Sequence, residues 1–162
     1  MRIKALHATV RDVSSFVLSH FLEQNFTISS KKDGSRVTTI DIEAELMARK
    51  LLLDPFPDDG FLGEEHEELV GISGFRWVVD PIDGTESFAR GVPLFGTLIG
   101  LEFNGSPVAG VATLPALDET ISAVIGEGVV YNGKASTKVS SVKNRDKALI
   151  CTTSYDYFKQ TN

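Results

Sequence analysis

The sequence predicts an α+β fold, two N-terminal helices packed on a largely antiparallel sheet, and three observations point to it. From Ile3 to Phe26 the apolar residues Val10, Val13, Phe16, Val17, Phe21 and Leu22 recur at helical intervals, the stripe of an amphipathic helix. A second helical stretch runs through Ala44, Leu46, Met47, Leu51 and Leu52, with Thr38 or Thr39 as its cap and Pro55 and Pro57 as its stop. Beyond it, short segments rich in β-formers follow one another between turn signals.

Lys31 to Arg36 reads as a charged loop with an Asp-Gly turn between the helices. Phe61-Leu62-Gly63 is a short apolar run ending in Glu64-Glu65, and Phe75 to Val79 is another ending in Asp80. Both are expected to be strands that deliver carboxylates at their ends. Phe95 to Phe103 and Pro107 to Leu114 flank Asn104-Gly105, the strongest short hairpin signal. Ile121 to Ile125, Val129 to Tyr131 and Ala148 to Thr152 are expected to add strands, with Asn132-Gly133 as a further turn.

The 162 residues, 42% hydrophobic and 23% charged, suit one domain spanning 1–162. A net charge of -6 and a pI near 5.0 argue against nucleic acid as a partner, since such binders present a basic face. Cys151 is the only cysteine, which excludes an internal disulfide and points to a reducing cytoplasm. No apolar run approaches the ~18 residues of a membrane span, and the start lacks a signal-peptide core, so a soluble, unexported protein is expected. His7, His20 and His66 show no zinc spacing, and Gly126-Glu127-Gly128 reads as a turn.

The informative segment is Trp77 to Thr85 (WVVDPIDGT), an apolar strand that runs into two aspartates flanking a proline. Pro81 fixes its own φ and keeps Asp80 extended, so Asp80 and Asp83 can point toward one centre. Carboxylates so close repel one another unless a cation sits among them, and hard oxygen ligands suit Mg²⁺ or Mn²⁺ rather than zinc. A short helix opening at Gly84-Thr85 would turn its first N–H groups toward the same centre, as phosphate binding requires. Metal carboxylates beside an anion cradle are the apparatus for phosphoester hydrolysis. Taken singly, Asp80 and Asp83 would read as a solvated turn, Glu64 as an exposed carboxylate and Asp41 as an acid in a helix's first turn.

Together, KKDGSRVTTID (31–41), GEE (63–65), DPIDGT (80–85) and GEGVVYNGK (126–134) resemble, in order and spacing, the signature of the inositol monophosphatase superfamily. Within it, PLFGTLIGL, TLPALDE and the segment from Cys151 to Phe158 are most similar to the histidinol-phosphatase branch. The resemblance implies an αβαβα sugar-phosphatase fold, of which this chain would be the N-terminal portion. It also implies Mg²⁺, two or three ions with Mn²⁺ able to substitute, water attack on a small phosphomonoester without a phosphoenzyme, and a homodimer. By matching position, Glu64, Asp80 and the carbonyl of Ile82 would hold one metal, and Asp80 and Asp83 would share a second. Thr85, hydrogen-bonded to Asp41, would help activate the water with Glu64. Substrate contacts would come from Glu64, Asp83, Gly84 and Thr85, with the backbone of the last two holding the phosphate. Lys31 matches a lysine near the site.

Two departures stand out. The family draws another ligand aspartate from a C-terminal Trp-Asp motif, and Trp77 is the only tryptophan here, so the second metal position is expected to be incomplete. Glu86 stands where the histidinol-phosphatase branch often has arginine. Facing the pocket, it would repel a second phosphate and attract a cationic amine. Otherwise it is simply an acid stabilised in a helix's first turn. By the resemblance to the histidinol-phosphatase branch, histidinol phosphate is the expected substrate, with an inositol monophosphate, or a non-catalytic truncated module, as alternatives.

Overall fold

The computed structural model describes residues 1–31, 34–135 and 139–149. In chain order the elements are α1 (Arg2–Glu23), β1 (Ile28–Ser30), β2 (Arg36–Thr38), α2 (Thr39–Leu53), β3 (Gly60–Leu62), β4 (Phe75–Asp83) and α3 (Thr85–Ala89). They continue through β5 (Gly96–Phe103), β6 (Ser106–Leu114), β7 (Glu119–Val124), β8 (Gly128–Tyr131) and β9 (Lys134–Ala135). Seven strands form one sheet in the order β3-β4-β5-β6-β7-β8-β9, antiparallel throughout except for the parallel β3–β4 pair. This is the α+β layer the sequence predicts.

α1 buries Leu6, Val10, Val13, Val17 and Phe21 along one stripe, and α2 buries Ile40, Ala44, Ala48 and Leu52. Both helices pack on the sheet face formed by Trp77, Val79, Ile99, Leu101 and Val111. The pleat sends alternate residues to opposite faces, so Val78, Leu98, Ala112 and Ala123 line an open apolar trough on the other side that runs up to Asp80. Leu22 and Leu46 lie off their stripes and are exposed.

Several expectations need correction. α1 stops at Glu23, where Gln24 turns into the left-handed region, rather than continuing to Phe26. The charged loop is flanked by two short strands that the sequence does not signal: β1 pairs antiparallel with β2, Ile28 with Thr38 and Ser30 with Arg36, so of that segment Arg36 lies in a strand. β4 does not end at Asp80 but continues to Asp83. Ala148 and Leu149 lie in no strand, and the rest of that expected strand, with Cys151, lies outside the described residues. No described helix is long and apolar enough to cross a membrane.

Candidate metal and phosphate site

β4 and α3 build the centre of the site. Asp80 pairs with Leu98 and Asp83 with Gly96, so three steps along β4 match two along β5. That extra residue is a β-bulge at Pro81, a position whose missing N–H a regular ladder could not use. Its consequence is geometric. Residues three apart in a regular strand point to opposite faces, whereas Leu98 and Gly96, two apart, share one. The bulge therefore brings Asp80 and Asp83 to the same side. The Pro81 carbonyl, freed from the ladder, accepts the Thr97 hydroxyl at 2.9 Å, and the Ile82 N–H donates to Asp80 Oδ1 at 3.1 Å.

Gly84 then turns the chain with φ 88°, a conformation that a side chain makes costly, and caps α3. α3 is anchored by Phe88, fully buried, whose ring lies 5.1 Å from that of Phe95 and 4.8 Å from that of Phe26. Glu64, Asp80, Ile82, Asp83, Gly84 and Thr85 all line one cleft of about 540 Å³, with Glu86 and Arg36 on its wall.

Asp41 stands behind this cleft, buried at the start of α2. Thr38 and Asp41 form a reciprocal capping box, in which the Thr38 hydroxyl accepts from the Ile40 and Asp41 N–H groups and Asp41 Oδ2 accepts from the Thr38 N–H and hydroxyl. Its other oxygen, Oδ1, accepts the Thr85 hydroxyl at 3.1 Å, the link the resemblance implied. The Ile82 carbonyl lies 3.0 Å from the same hydroxyl. Burial pushes the Asp41 carboxyl up, against the hydrogen bonds from Thr38 and Thr85.

Asp80 is the most perturbed group. Burial, then the charges of Glu64 and Asp83, push its carboxyl up to about 7. Glu64 sits across the cleft with Lys31, whose Nζ lies 2.7 Å from both Glu64 Oε1 and Glu65 Oε1. Burial would lower the Lys31 ammonium, but the two glutamates more than offset it and hold it above its ordinary value. Lys31 thus belongs to the site, while Lys32 lies outside the described residues.

Among the described residues no three His, Cys, Asp or Glu side chains are already drawn together as a metal cage. Glu64 turns instead to Lys31, which supplies the positive charge. The donors nonetheless fit a hard divalent cation: they are oxygens throughout, they share one cleft, and the conflict recorded at Asp80 is one that such an ion would relieve. Glu86 behaves differently from expectation. It is paired with Arg36 at 2.7 Å and with Arg90, so its charge is compensated and gives no reason for the cleft to prefer a cationic substrate.

One buried carboxylate at the site escaped the sequence reading. Glu45, fully buried, accepts hydrogen bonds from the backbone of Glu64, Glu65 and His66. The signal was present in the spacing Asp41, Glu45, Ala48, Leu52, which places Glu45 on the inward stripe of α2. His66, which shows no zinc spacing in the sequence, joins it with Nδ1 at 2.8 Å from Glu45 Oε1.

The profile of the inositol monophosphatase family matches residues 2–162. A histidinol-phosphatase of Chlorobaculum parvum is 39% identical over 140 residues, 86% of this chain and 54% of that protein. An inositol-1-monophosphatase of Rhizobium meliloti is 41% identical over 112 residues, 68% of this chain and 42% of that protein. The crystal structure of the extragenic suppressor protein suhB from Bartonella henselae superposes with a TM-score of 0.82 at 34% identity, covering 86% of this chain and 55% of that one. The chain spans about half the length of the curated relatives it matches. By the whole-length profile match and by its fold, the chain belongs to the inositol monophosphatase family.

Proposed function

We propose that the chain provides the metal- and phosphate-binding part of a Mg²⁺-dependent phosphomonoesterase that acts on histidinol phosphate. The observation that carries this reading is the convergence of Glu64, Asp80, Ile82, Asp83, Gly84 and Thr85 on one cleft, with the Thr85 hydroxyl hydrogen-bonded to buried Asp41. Glu64, Asp80, Asp83 and the Ile82 carbonyl would hold Mg²⁺, for which Mn²⁺ could substitute. A bound divalent ion supplies the charge that polarises a phosphate and activates a water.

The protein's own groups do the rest. Asp41 holds the Thr85 proton, so the Thr85 oxygen turns its lone pairs toward the cleft, where it orients an attacking water together with Glu64. The Gly84 and Thr85 backbone at the start of α3 receives the phosphate. Lys31 balances Glu64 and Glu65. The substrate assignment is supported by the Chlorobaculum parvum relative and by a histidinol-phosphatase of Mycobacterium tuberculosis, 43% identical over 101 residues. The Rhizobium meliloti relative, 41% identical, favours inositol 1-phosphate as the second reading. A cytoplasmic homodimer completes the proposal; the lone Cys151 supports the compartment and the family resemblance supports the dimer.

Calorimetric titration with Mg²⁺ and Mn²⁺, combined with phosphate release from both esters, tests the reading. Metal binding with faster release from histidinol phosphate supports it, and faster release from inositol 1-phosphate selects the second reading. Binding without turnover leaves a metal-binding portion that needs further residues, and no binding refutes the metal site. Asp83→Asn should fold normally yet weaken metal binding and abolish turnover in the complete enzyme; a near-normal rate would remove Asp83 from the ligand set.

A further inference from the structure

Glu45 lies on α2 one turn beyond Asp41, a rise of about 6 Å. Its Oε2 accepts the N–H groups of Glu64 and Glu65, both at 2.7 Å, and its Oε1 accepts the His66 N–H at 3.0 Å and faces His66 Nδ1 at 2.8 Å. Four donors on two oxygens use the acceptor capacity of a carboxylate, and nothing else in the side-chain repertoire offers the same set at that size. The turn they belong to has no ladder partner of its own after β3 ends at Leu62. A methyl group on Gly63 would sit 2.2 Å from the Glu45 carboxyl carbon, and Glu45, with no exposed surface, has nowhere to retreat.

We infer that Glu45 is a positioning residue that fixes the Gly63–His66 turn, and through it the carboxylate of Glu64, at a set distance from Thr85. α2 acts as a ruler. Asp41 clamps the Thr85 side of the cleft, Glu45 clamps the Glu64 side, and one helical turn sets the spacing between two segments far apart in sequence. Gly63 is glycine because the carboxylate occupies the space a side chain would need. The inference rests on the reading of Glu64 as a metal ligand given under Proposed function.

The test compares the wild-type chain with Glu45→Gln, Glu45→Ala, Gly63→Ala and the Glu45→Ala/Gly63→Ala double variant, by amide hydrogen exchange, ¹⁵N–¹H spectra and Mn²⁺ binding. Glutamine keeps the volume but turns an NH₂ toward two of the four donors. Exchange at Glu64, Glu65 and His66 should then rise at least tenfold and their amide signals move upfield, while β5 and β6 stay protected. Mn²⁺ affinity should fall roughly tenfold, the scale expected when support behind a ligand is lost. Gly63→Ala, which keeps Glu45, should give the same local signature, and its effect should largely vanish in the Glu45→Ala background, where the clash is gone.

Unchanged exchange at Glu64–His66, protection lost uniformly through the sheet, wild-type Mn²⁺ affinity in Glu45→Gln, or simple additivity in the double variant would each overturn the inference. Failure of the wild-type chain itself to bind Mn²⁺ refutes the metal reading instead, and the amide signature and the double variant then decide the positioning of the turn on their own.

Discussion

Asp59 offers the sharpest stability test, because it is a fully buried carboxylate that ties the N-terminus to the strand leading into the site. Oδ2 accepts Arg2 Nε at 2.8 Å and Trp77 Nε1 at 3.1 Å, and Oδ1 accepts Arg2 Nη2 at 2.9 Å and the Ser73 hydroxyl at 2.7 Å. Asp59→Asn preserves the shape, and its amide can turn toward the Ser73 oxygen and leave the other oxygen for Trp77. The loss then falls on Arg2, one of whose two charge-assisted bonds disappears and whose remaining bond is to a neutral group. Arg2 stays over the Phe75 ring at 3.9 Å and is 29% exposed, so water recovers part of the cost. Bonds to charged groups contribute about 1.5 to 3 kcal/mol, which gives a loss of about 2 to 3 kcal/mol. For a chain of this size that lowers the melting temperature by roughly 4 to 12 °C. The pH dependence carries the sign. Burial alone would push the Asp59 carboxyl up, but Arg2, Ser73 and Trp77 more than offset it and hold it below its ordinary value. A depressed carboxyl stabilises the fold above its unfolded value, and that contribution is lost as pH falls through the folded one. Calorimetric melts from about pH 7 to about pH 2 should therefore show the wild-type advantage shrinking on the acid side. A variant that melts within about 1 °C of wild type at neutral pH, or a gap that stays constant into acid, would refute the reasoning.

Thr38→Ala removes both the cap of α2 and a hydrogen bond to Asp41, and should cost about 1 to 2 kcal/mol in urea unfolding. Thr38→Ser should restore most of it; a serine no better than alanine would show that the hydroxyl is not the source. Gly84→Ala forces a side chain into φ 88° with its Cβ 3.0 Å from the Leu94 carbonyl oxygen, and should cost about 1 to 2 kcal/mol or more. Unchanged stability there would mean that the turn into α3 relaxes without penalty.

The helices and the long strands were legible because periodicity is a local signal. Thr38 is an N-cap with Asp41 three residues on, and the structure builds the capping box those residues allow. The β1–β2 hairpin was hidden for a physical reason: Ile28, Ser29 and Ser30 are all exposed, so no alternation of apolar and polar residues marks the strand. Leu22 and Leu46 misled slightly, since a leucine beside a stripe counts toward a pattern without being buried by it. For the site, chemistry and order in the sequence identified residues that the fold gathers in one cleft. What they could not disclose was pairing between distant segments. The register of β4 against β5 and the reach of Glu45 to the Gly63–His66 turn depend on which elements become neighbours, and neither residue type nor period encodes that. Half of the charge compensation at Glu86 was hidden in the same way, because Arg36 comes from another element, whereas Arg90, four residues on, is a local partner.

The bulge at Pro81 makes the site a matter of counting as well as of chemistry. Asp80 and Asp83, three apart, share a face because the bulge takes one residue out of the ladder's count. Removing a single residue from the Pro81–Ile82 step would mend the hydrogen-bond ladder and leave the aspartates two apart on one face, but would take away either the Pro81 carbonyl that accepts the Thr97 hydroxyl or the Ile82 carbonyl that faces the Thr85 hydroxyl. The protein would gain a more regular strand and lose part of the framework that holds Asp83 and Thr85. An added residue that the bulge did not absorb would instead turn Asp83 to the face opposite Asp80, so an insertion at this step should be more damaging to the site than a deletion.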